Sequence, residues 1–447
     1  MRATKVGPRR VCLSASTLPH AGVGGVWSVV RGLVKGLGQL DGPEEYVVVA
    51  RRDVADELLR DRGANTSVVF QPDAPSPEGP LRLLARRAVG AARRRLLRPL
   101  APASATRAES DVFVPAWSVS TGFYEALGVG AIHFPWPRFV VTAIPSVLTC
   151  HDIQHRHHPE FFSPLEVAAR EAETRLGLGM ASLIAVGANG VRSDLEEQFG
   201  TPGSRIAVVP WAALSELQPE PTEEEVRVTL CALDLEAPFA LYPAMTWPHK
   251  NHQRLIEAVA LAVQRGERKI HLVCTGHQHP TTWPSIVRCL ESTGVGRHVR
   301  FLGMVDDRTL QCLYSAARFL FFPSLFEGGG LPIYEAWCHG LAVAASRASV
   351  LPELIGDAGY FFDPESVADM ASSLTRLAND DDLIKALSVA GRMRSVRFTW
   401  VNTARLYRAL YRRVAGWPLA AEDRDLLAFA ISPPRPPGSA AHDLRTP

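Results

Sequence analysis

The 447-residue sequence contains no run of eighteen apolar residues, about the length that a helix needs to cross a bilayer. No membrane span is therefore expected. It also lacks a C-x-x-C motif. Its seven cysteines (12, 150, 231, 274, 289, 312 and 338) are odd in number and mostly sit in apolar runs. That spacing suggests neither a disulfide framework nor a zinc site, and reduced thiols in a cytoplasmic chain are expected. Net charge is scarce too: 48 Lys and Arg oppose 46 Asp and Glu, leaving +2. Such a balance makes no case for nucleic acid as a partner. The basic N-terminus has too short an apolar stretch for a secretory leader. One absence is local. No acid occurs between Gly79 and Ala108, yet seven arginines fall between Arg82 and Arg98. The plain reading is a solvated basic helix. The sharper one is attachment to an anionic membrane surface or an anionic acceptor.

With 47% apolar and 21% charged residues, the composition fits a globular enzyme. The length suggests two domains of about 200 residues each. Short apolar runs alternate with amphipathic stretches throughout. Strands are expected near Arg10–Ser16, Tyr46–Ala50, Asp111–Ala116, Ala131–Pro135, Ser146–Cys150, Ser182–Val186 and Ile206–Val209. A proline- and glutamate-rich stretch follows, ELQPEPTEEEV, and is read as the start of a linker over 216–237. The pattern then resumes with strands at Phe239–Pro243, His271–Thr275, Val299–Leu302, Arg318–Pro323 and Ala342–Ser346. Alternation of this kind predicts an α/β fold with a Rossmann-like parallel sheet in each half. The halves are expected at 1–215 and 238–395, with a further helix over 396–416 and a partly disordered tail over 417–447.

The most informative stretch is Phe326–Gly340, FEGGGLPIYEAWCHG. It follows a buried-strand pattern and places Gly328, Gly329 and Gly330 just before a helix with Pro332 in its first turn. Glycines let a ligand approach the backbone, and the helix end favours an anion such as phosphate. Glu327 and Glu335 frame this cradle, and a carboxylate can accept two hydroxyl donors, as from the vicinal diols of sugars. Each glutamate alone reads as a solvated or dipole-complementing residue; the whole string reads as a nucleotide-sugar site. His151 and Asp152 stand where the strand Ser146–Cys150 ends, the position at which parallel sheets place ligands. The histidines at 155, 157 and 158 read as polar loop surface, and their spacing fits no closed metal site. Lys250 stands at a helix start, where it opposes the dipole unless an anion binds. Near the N-terminus, Gly22 and Gly24 fit part of a dinucleotide fingerprint, but Trp27 occupies the third glycine position.

The string Glu327–Glu335 resembles the E-x7-E signature of the family-4 retaining glycosyltransferases, which have the GT-B fold. Gly329 stands where that pattern usually carries an aromatic. The segments HDIQHRHHPEFFSP and YPAMTWPHKNH are similar to segments of the same family. The resemblance implies two Rossmann-like domains facing a cleft, with the last helix crossing back onto the first. It places His151 near the transferred sugar, and Lys250, with Gly328–Gly330 and Leu331, at the donor diphosphate. It assigns Glu327 to the sugar hydroxyls and Glu335 to the ribose. Gly24, Gly25, Asp152 and His249 are further candidates, with His249 helping as a protonated group because Met245 stands where an arginine is usual. No metal and no cofactor are implied, only a nucleotide-diphosphate sugar and a glycan or lipid-linked acceptor. A weak lean is toward mannose and related envelope sugars. A sugar-nucleotide epimerase of the same fold and a non-catalytic nucleotide-binding protein are the competing readings.

Overall fold

A computed structural model describes residues 9–17, 24–52, 55–71, 118–267 and 269–432. The arginine-rich segment Arg82–Arg98 and the strand expected at Asp111–Ala116 lie outside the described residues, as do residues 433–447. The first half supplies β1 (Arg9–Ser14), β2 (Glu44–Ala50), β3 (Thr66–Phe70), β4 (Ser118–Val119), β5 (Ala131–Phe134), β6 (Val140–Val141), β7 (Ser146–Thr149), β8 (Leu183–Val186) and β9 (Ile206–Val208). Seven of these form a parallel sheet in the order β3-β2-β1-β5-β7-β8-β9, while β4 pairs with β6. The second half supplies β10 (Ala240–Pro243), β11 (Leu272–Thr275), β12 (Val299–Phe301), β13 (Phe319–Phe322), β14 (Ala342–Ser346) and β15 (Tyr360–Phe362). Its parallel order is β12-β11-β10-β13-β14-β15. The strands are nearly uniform apolar runs because helices cover both faces.

In each sheet the strand order reverses once, beside β1 and beside β10. The crevice beyond the C-terminal strand ends at such a reversal is where this architecture binds ligands. The loops that matter below all leave those ends: after β1, β5, β7, β8 and β9 on one side, and after β10, β13 and β14 on the other. All seven cysteines are free thiols. Among the described residues, no helix is long and apolar enough to cross a membrane.

Two stretches carry helices that their composition did not suggest. The stretch read as a linker contains a helix, Glu223–Ala232. Thr222 accepts from the Glu225 amide while the Glu225 side chain returns to the Thr222 amide, so a capping box starts it. Arg308 then ties Glu225 to the second half, with Nη2–Oε2 at 2.6 Å. Within 417–447, expected to be partly disordered, the described residues contain a helix, Ala421–Ile431. Its Asp423 is buried and accepts from Arg412 at 2.8 Å.

The helix Trp400–Val414 lies against the first sheet. Trp400 Nε1 donates to the Ala213 carbonyl (2.9 Å), and Arg412 makes two 2.9 Å bonds to Glu44. Tyr407 reaches Thr149 (2.9 Å), and Tyr411 reaches His133 Nδ1 (2.8 Å). Thr149 Oγ1 holds the other ring nitrogen of His133 at 2.8 Å. Burial, reinforced by neighbouring His151, pushes the His133 pKa down to about 3. The unfolded chain takes up that proton below pH 6.5 while the folded chain does not. The stability contributed by His133 is therefore complete above its unfolded pKa and is lost as pH falls toward 3. At pH 5.5 the loss from this one residue is about 1.4 kcal/mol. Denaturant unfolding at pH 7.5 and 5.5 should show it, with a smaller difference in His133→Gln. An unchanged pH dependence in the variant would remove His133 as the cause.

Candidate functional site

The glycine loop leaves β13, whose residues Phe319–Phe322 are all buried. Ser346 Oγ holds the Ser324 carbonyl at 2.5 Å, and the Leu325 amide donates to the His249 carbonyl at 2.8 Å. These bonds fix the turn between β13 and the loop following β10. Gly330 has φ +58° at the N-cap of the helix Leu331–Cys338, a left-handed conformation that glycine adopts without strain. The other two glycines are required by proximity. A Cβ on Gly328 would lie 2.0 Å from the His151 carbonyl oxygen, and one on Gly329 would lie 1.9 Å from the Trp211 ring.

Lys250 ends the short 3-10 turn Pro248–Lys250 after β10, and its Nζ pairs with the Glu327 carboxylate. Both side chains are largely covered, and the ammonium also lies 5.5 Å from the Phe322 ring centre. Ser349 Oγ donates to the Glu327 carbonyl at 2.7 Å. A lysine and a glutamate brought from points 77 residues apart thus sit beside the glycine loop as a mutually neutralised pair.

His151 faces this loop from the end of β7. Its Nε2 lies 2.8 Å from the Pro135 carbonyl, which can only accept, so Nε2 carries the proton. Burial keeps its pKa below the ordinary value, against smaller opposing effects from that carbonyl and Asp152. The ring is therefore neutral, and Nδ1 is a buried acceptor without a partner among the described residues. Trp136 and Trp211 flank it, with ring centres 5.9 and 5.3 Å away. Asp152 accepts from the Gln154 amide at 2.9 Å, and its Cβ borders Gly328. On the β1 side, Gly24 borders Met245 Sδ, and Gly25 borders Leu331.

The structure thus gathers Gly24, Gly25, His151, Asp152, Lys250, Glu327, Gly328, Gly329, Gly330 and Leu331 around one seam. Two candidates stand differently from expectation. His249 is half-buried, and desolvation, followed by the charge of Lys250, holds its pKa well below 6.5. Without a bound anion, both effects disfavour the protonated form that the helper role needs. Glu335 is half-buried and already engaged: it accepts from the Leu214 amide (2.6 Å), the Ser215 amide (3.3 Å) and Ser215 Oγ (2.5 Å). Burial raises its pKa against the lowering effect of those bonds. A ribose diol would have to share or displace them.

His155, read as surface, is buried and bonded to Glu171 at 3.2 Å. His157 pairs with Asp194 at 2.9 Å, and its ring meets Phe326 of the second half at 5.0 Å. Among the described residues, no three His, Cys, Asp or Glu side chains gather to hold a metal ion.

Two residues that the sequence reading did not assign to the site also stand at this seam. Trp211, from the loop after β9, lies on Gly329; a strand-end position was its one visible signal. Glu353 accepts from the Asn189 amide (2.8 Å), Asn189 Nδ2 (2.9 Å) and the Gly190 amide (2.9 Å). It caps the helix Asn189–Phe199 from the opposite half, where Ala188 supplies no side-chain cap.

Residues 238–380 match the family described as "Glycosyl transferases group 1". The O-antigen chain mannosyltransferase B of Escherichia coli is 30% identical over 260 residues, 58% of this chain and 67% of that protein. The chain belongs to the group 1 glycosyl transferases. The serotype-specific mannosyltransferase WbdA of Escherichia coli is 34% identical over 169 residues, 38% of this transferase but 21% of WbdA. This transferase thus spans two thirds of the first relative and about a fifth of the second. Anabaena Alr3699/HepE, solved in complex with UDP and glucose, superimposes with a TM-score of 0.64 at 17% identity, covering 91% of this transferase and all of that chain. At that identity the likeness fixes the fold, GT-B, and nothing finer.

Proposed function

We propose that this transferase is a retaining, metal-independent hexosyltransferase. It would move mannose or a related hexose from a GDP-linked donor to a hydroxyl of a glycan or lipid-linked acceptor in envelope polysaccharide synthesis. The observation that carries this reading is the Lys250–Glu327 pair beside Gly328–Gly330, facing neutral His151. The names of the two Escherichia coli relatives support the sugar. An arriving diphosphate competes with Glu327 for Lys250. The ammonium, the loop amides and the positive helix end then meet the charge on the leaving group, so no cofactor or metal is needed. Glu327, released, accepts from sugar hydroxyls, and His151 Nδ1 accepts from another. The bond from C1 to the phosphate oxygen breaks as a bond from C1 to the acceptor oxygen forms on the same face. The departing phosphate takes the acceptor's proton. Arg82–Arg98 would hold the enzyme at an anionic lipid surface that carries the acceptor.

A thermal-shift screen with GDP, UDP, ADP and TDP sugars tests the donor, because a ligand stabilises the state that binds it. GDP-mannose should give the largest rise. Transfer should survive EDTA and yield the donor's anomeric configuration. Inverted product, EDTA-dependent turnover, or sugar interconversion without acceptor would each reject the reading.

A further inference from the structure

Trp211 is tightly fitted to the glycine loop, and among the described residues its polar atom has no hydrogen-bond partner. The edge of its six-membered ring lies where a side chain on Gly329 would be: a Cβ there would meet Cζ3, Cε3 and Cη2 at 1.9, 2.4 and 2.6 Å. The opposite edge faces Gly187, whose own Cβ position is 3.2 Å from Cζ2 and 3.3 Å from both Cε2 and the Gly328 carbonyl. The indole is thus wedged between the end of β8 and the glycine loop, and it is 5% exposed. Its Nε1 is fully buried without an acceptor. The neighbouring ring, His151, has the complementary deficit: Nδ1 is a buried acceptor without a donor. Buried polar atoms are rarely left unpaired, because each gave up water to be there. Here one missing acceptor and one missing donor occur on adjacent rings against the same loop. A hydroxyl-bearing ligand supplies both.

We propose that Trp211 is a donor-sugar contact: its indole N–H donates to a hydroxyl of the transferred sugar, beside the hydroxyl that His151 Nδ1 accepts. This rests on the nucleotide-sugar reading above and deepens it. The sugar is then recognised from both halves of the chain, by Glu327 on one and by Trp211 with His151 on the other. The nucleoside diphosphate alone, which lacks the hexose, does not use Trp211.

The test compares GDP with GDP-mannose, by calorimetry, in wild type, Trp211→Phe and Trp211→His. Phenylalanine keeps a ring against Gly329 but removes the N–H; histidine returns a ring donor. Loss of one neutral hydrogen bond should weaken GDP-mannose roughly three- to ten-fold. GDP affinity should be unchanged, and histidine should recover part of the loss. Equal weakening of both ligands would show that the indole only packs, and an unaffected Trp211→Phe would remove the contact; either result overturns the proposal. If wild type binds neither GDP nor GDP-mannose, and no other nucleotide-sugar pair in the screen, the nucleotide-sugar reading itself falls.

Discussion

Gly328→Ala is expected to lower kcat/KM roughly a hundred-fold while shifting the melting temperature by only a few degrees. The added methyl would lie 2.0 Å from the His151 carbonyl oxygen and 2.9 Å from its carbon. Both are backbone atoms at the end of a central strand, so no rotamer change relieves the clash. Overpacking of this kind typically costs about 1–3 kcal/mol, and at the upper end that is about two powers of ten in rate. The cheapest relief is to part the two halves at the seam, which leaves both sheets intact and removes His151 from the loop. The cost therefore falls on catalysis more than on folding. Gly329→Ala is the internal control. Its methyl would meet the Trp211 ring first, a side chain rather than a backbone atom, so relief by a shift of the indole against Gly187 is cheaper than moving a strand end and a smaller loss of roughly ten-fold is expected. Steady-state rates and melting curves for both variants decide the matter. A fully active Gly328→Ala would mean that the loop and His151 are not in contact during turnover.

Lys250→Ala should weaken nucleoside diphosphate binding roughly 10- to 150-fold, the equivalent of a charge-assisted hydrogen bond of about 1.5–3 kcal/mol. The effect has two parts. The diphosphate loses its cation, and Glu327, 11% exposed, loses its partner and repels the incoming charge. Lys250→Ala/Glu327→Gln should therefore bind the nucleotide better than Lys250→Ala alone. Met245→Arg offers a second route. Met245 Sδ borders Gly24 in the loop that follows β1, so an arginine there would stand at the same seam and should recover part of the loss. Calorimetry with GDP reads all four proteins. An unchanged dissociation constant in Lys250→Ala would place the phosphates elsewhere.

Both predictions concern residues whose types stand out in the sequence. The alternation of strands and helices is legible because each strand is a short apolar run and most helices carry one apolar face. Strand ends then mark Lys250, His151 and the glycine loop as neighbours in kind. Their pairing was not legible. Nothing in the spacing of Lys250 and Glu327 says that they touch, and nothing in PWAA says that an indole fills the space at Gly329. These contacts join segments about 75 to 120 residues apart, beyond any helical or strand period. The depressed pKa of His249 is hidden for the same reason, because the burial and the Lys250 charge that cause it come from the fold. Composition and spacing also compete locally: the prolines and three glutamates before Val226 suggest a linker, whereas Thr222 and Glu225 have the spacing of the capping box that starts the helix there.

The helix Trp400–Val414 has a consequence for the order in which the molecule can be made. Trp400, Tyr407 and Tyr411 complete the interior of the first sheet, yet the last strand of that sheet ends at Val208. On a ribosome adding about 5–20 residues per second, the closing helix arrives roughly 190 residues and on the order of 10–40 s later. Throughout that interval Gly32 and Gly36, against which Trp400 finally packs, face an unfilled groove. The half that begins synthesis first is thus the half that finishes folding last. A nascent chain stalled inside the second half would present that apolar groove to chaperones, whereas the second sheet, contiguous from β10 to β15, closes as soon as it emerges.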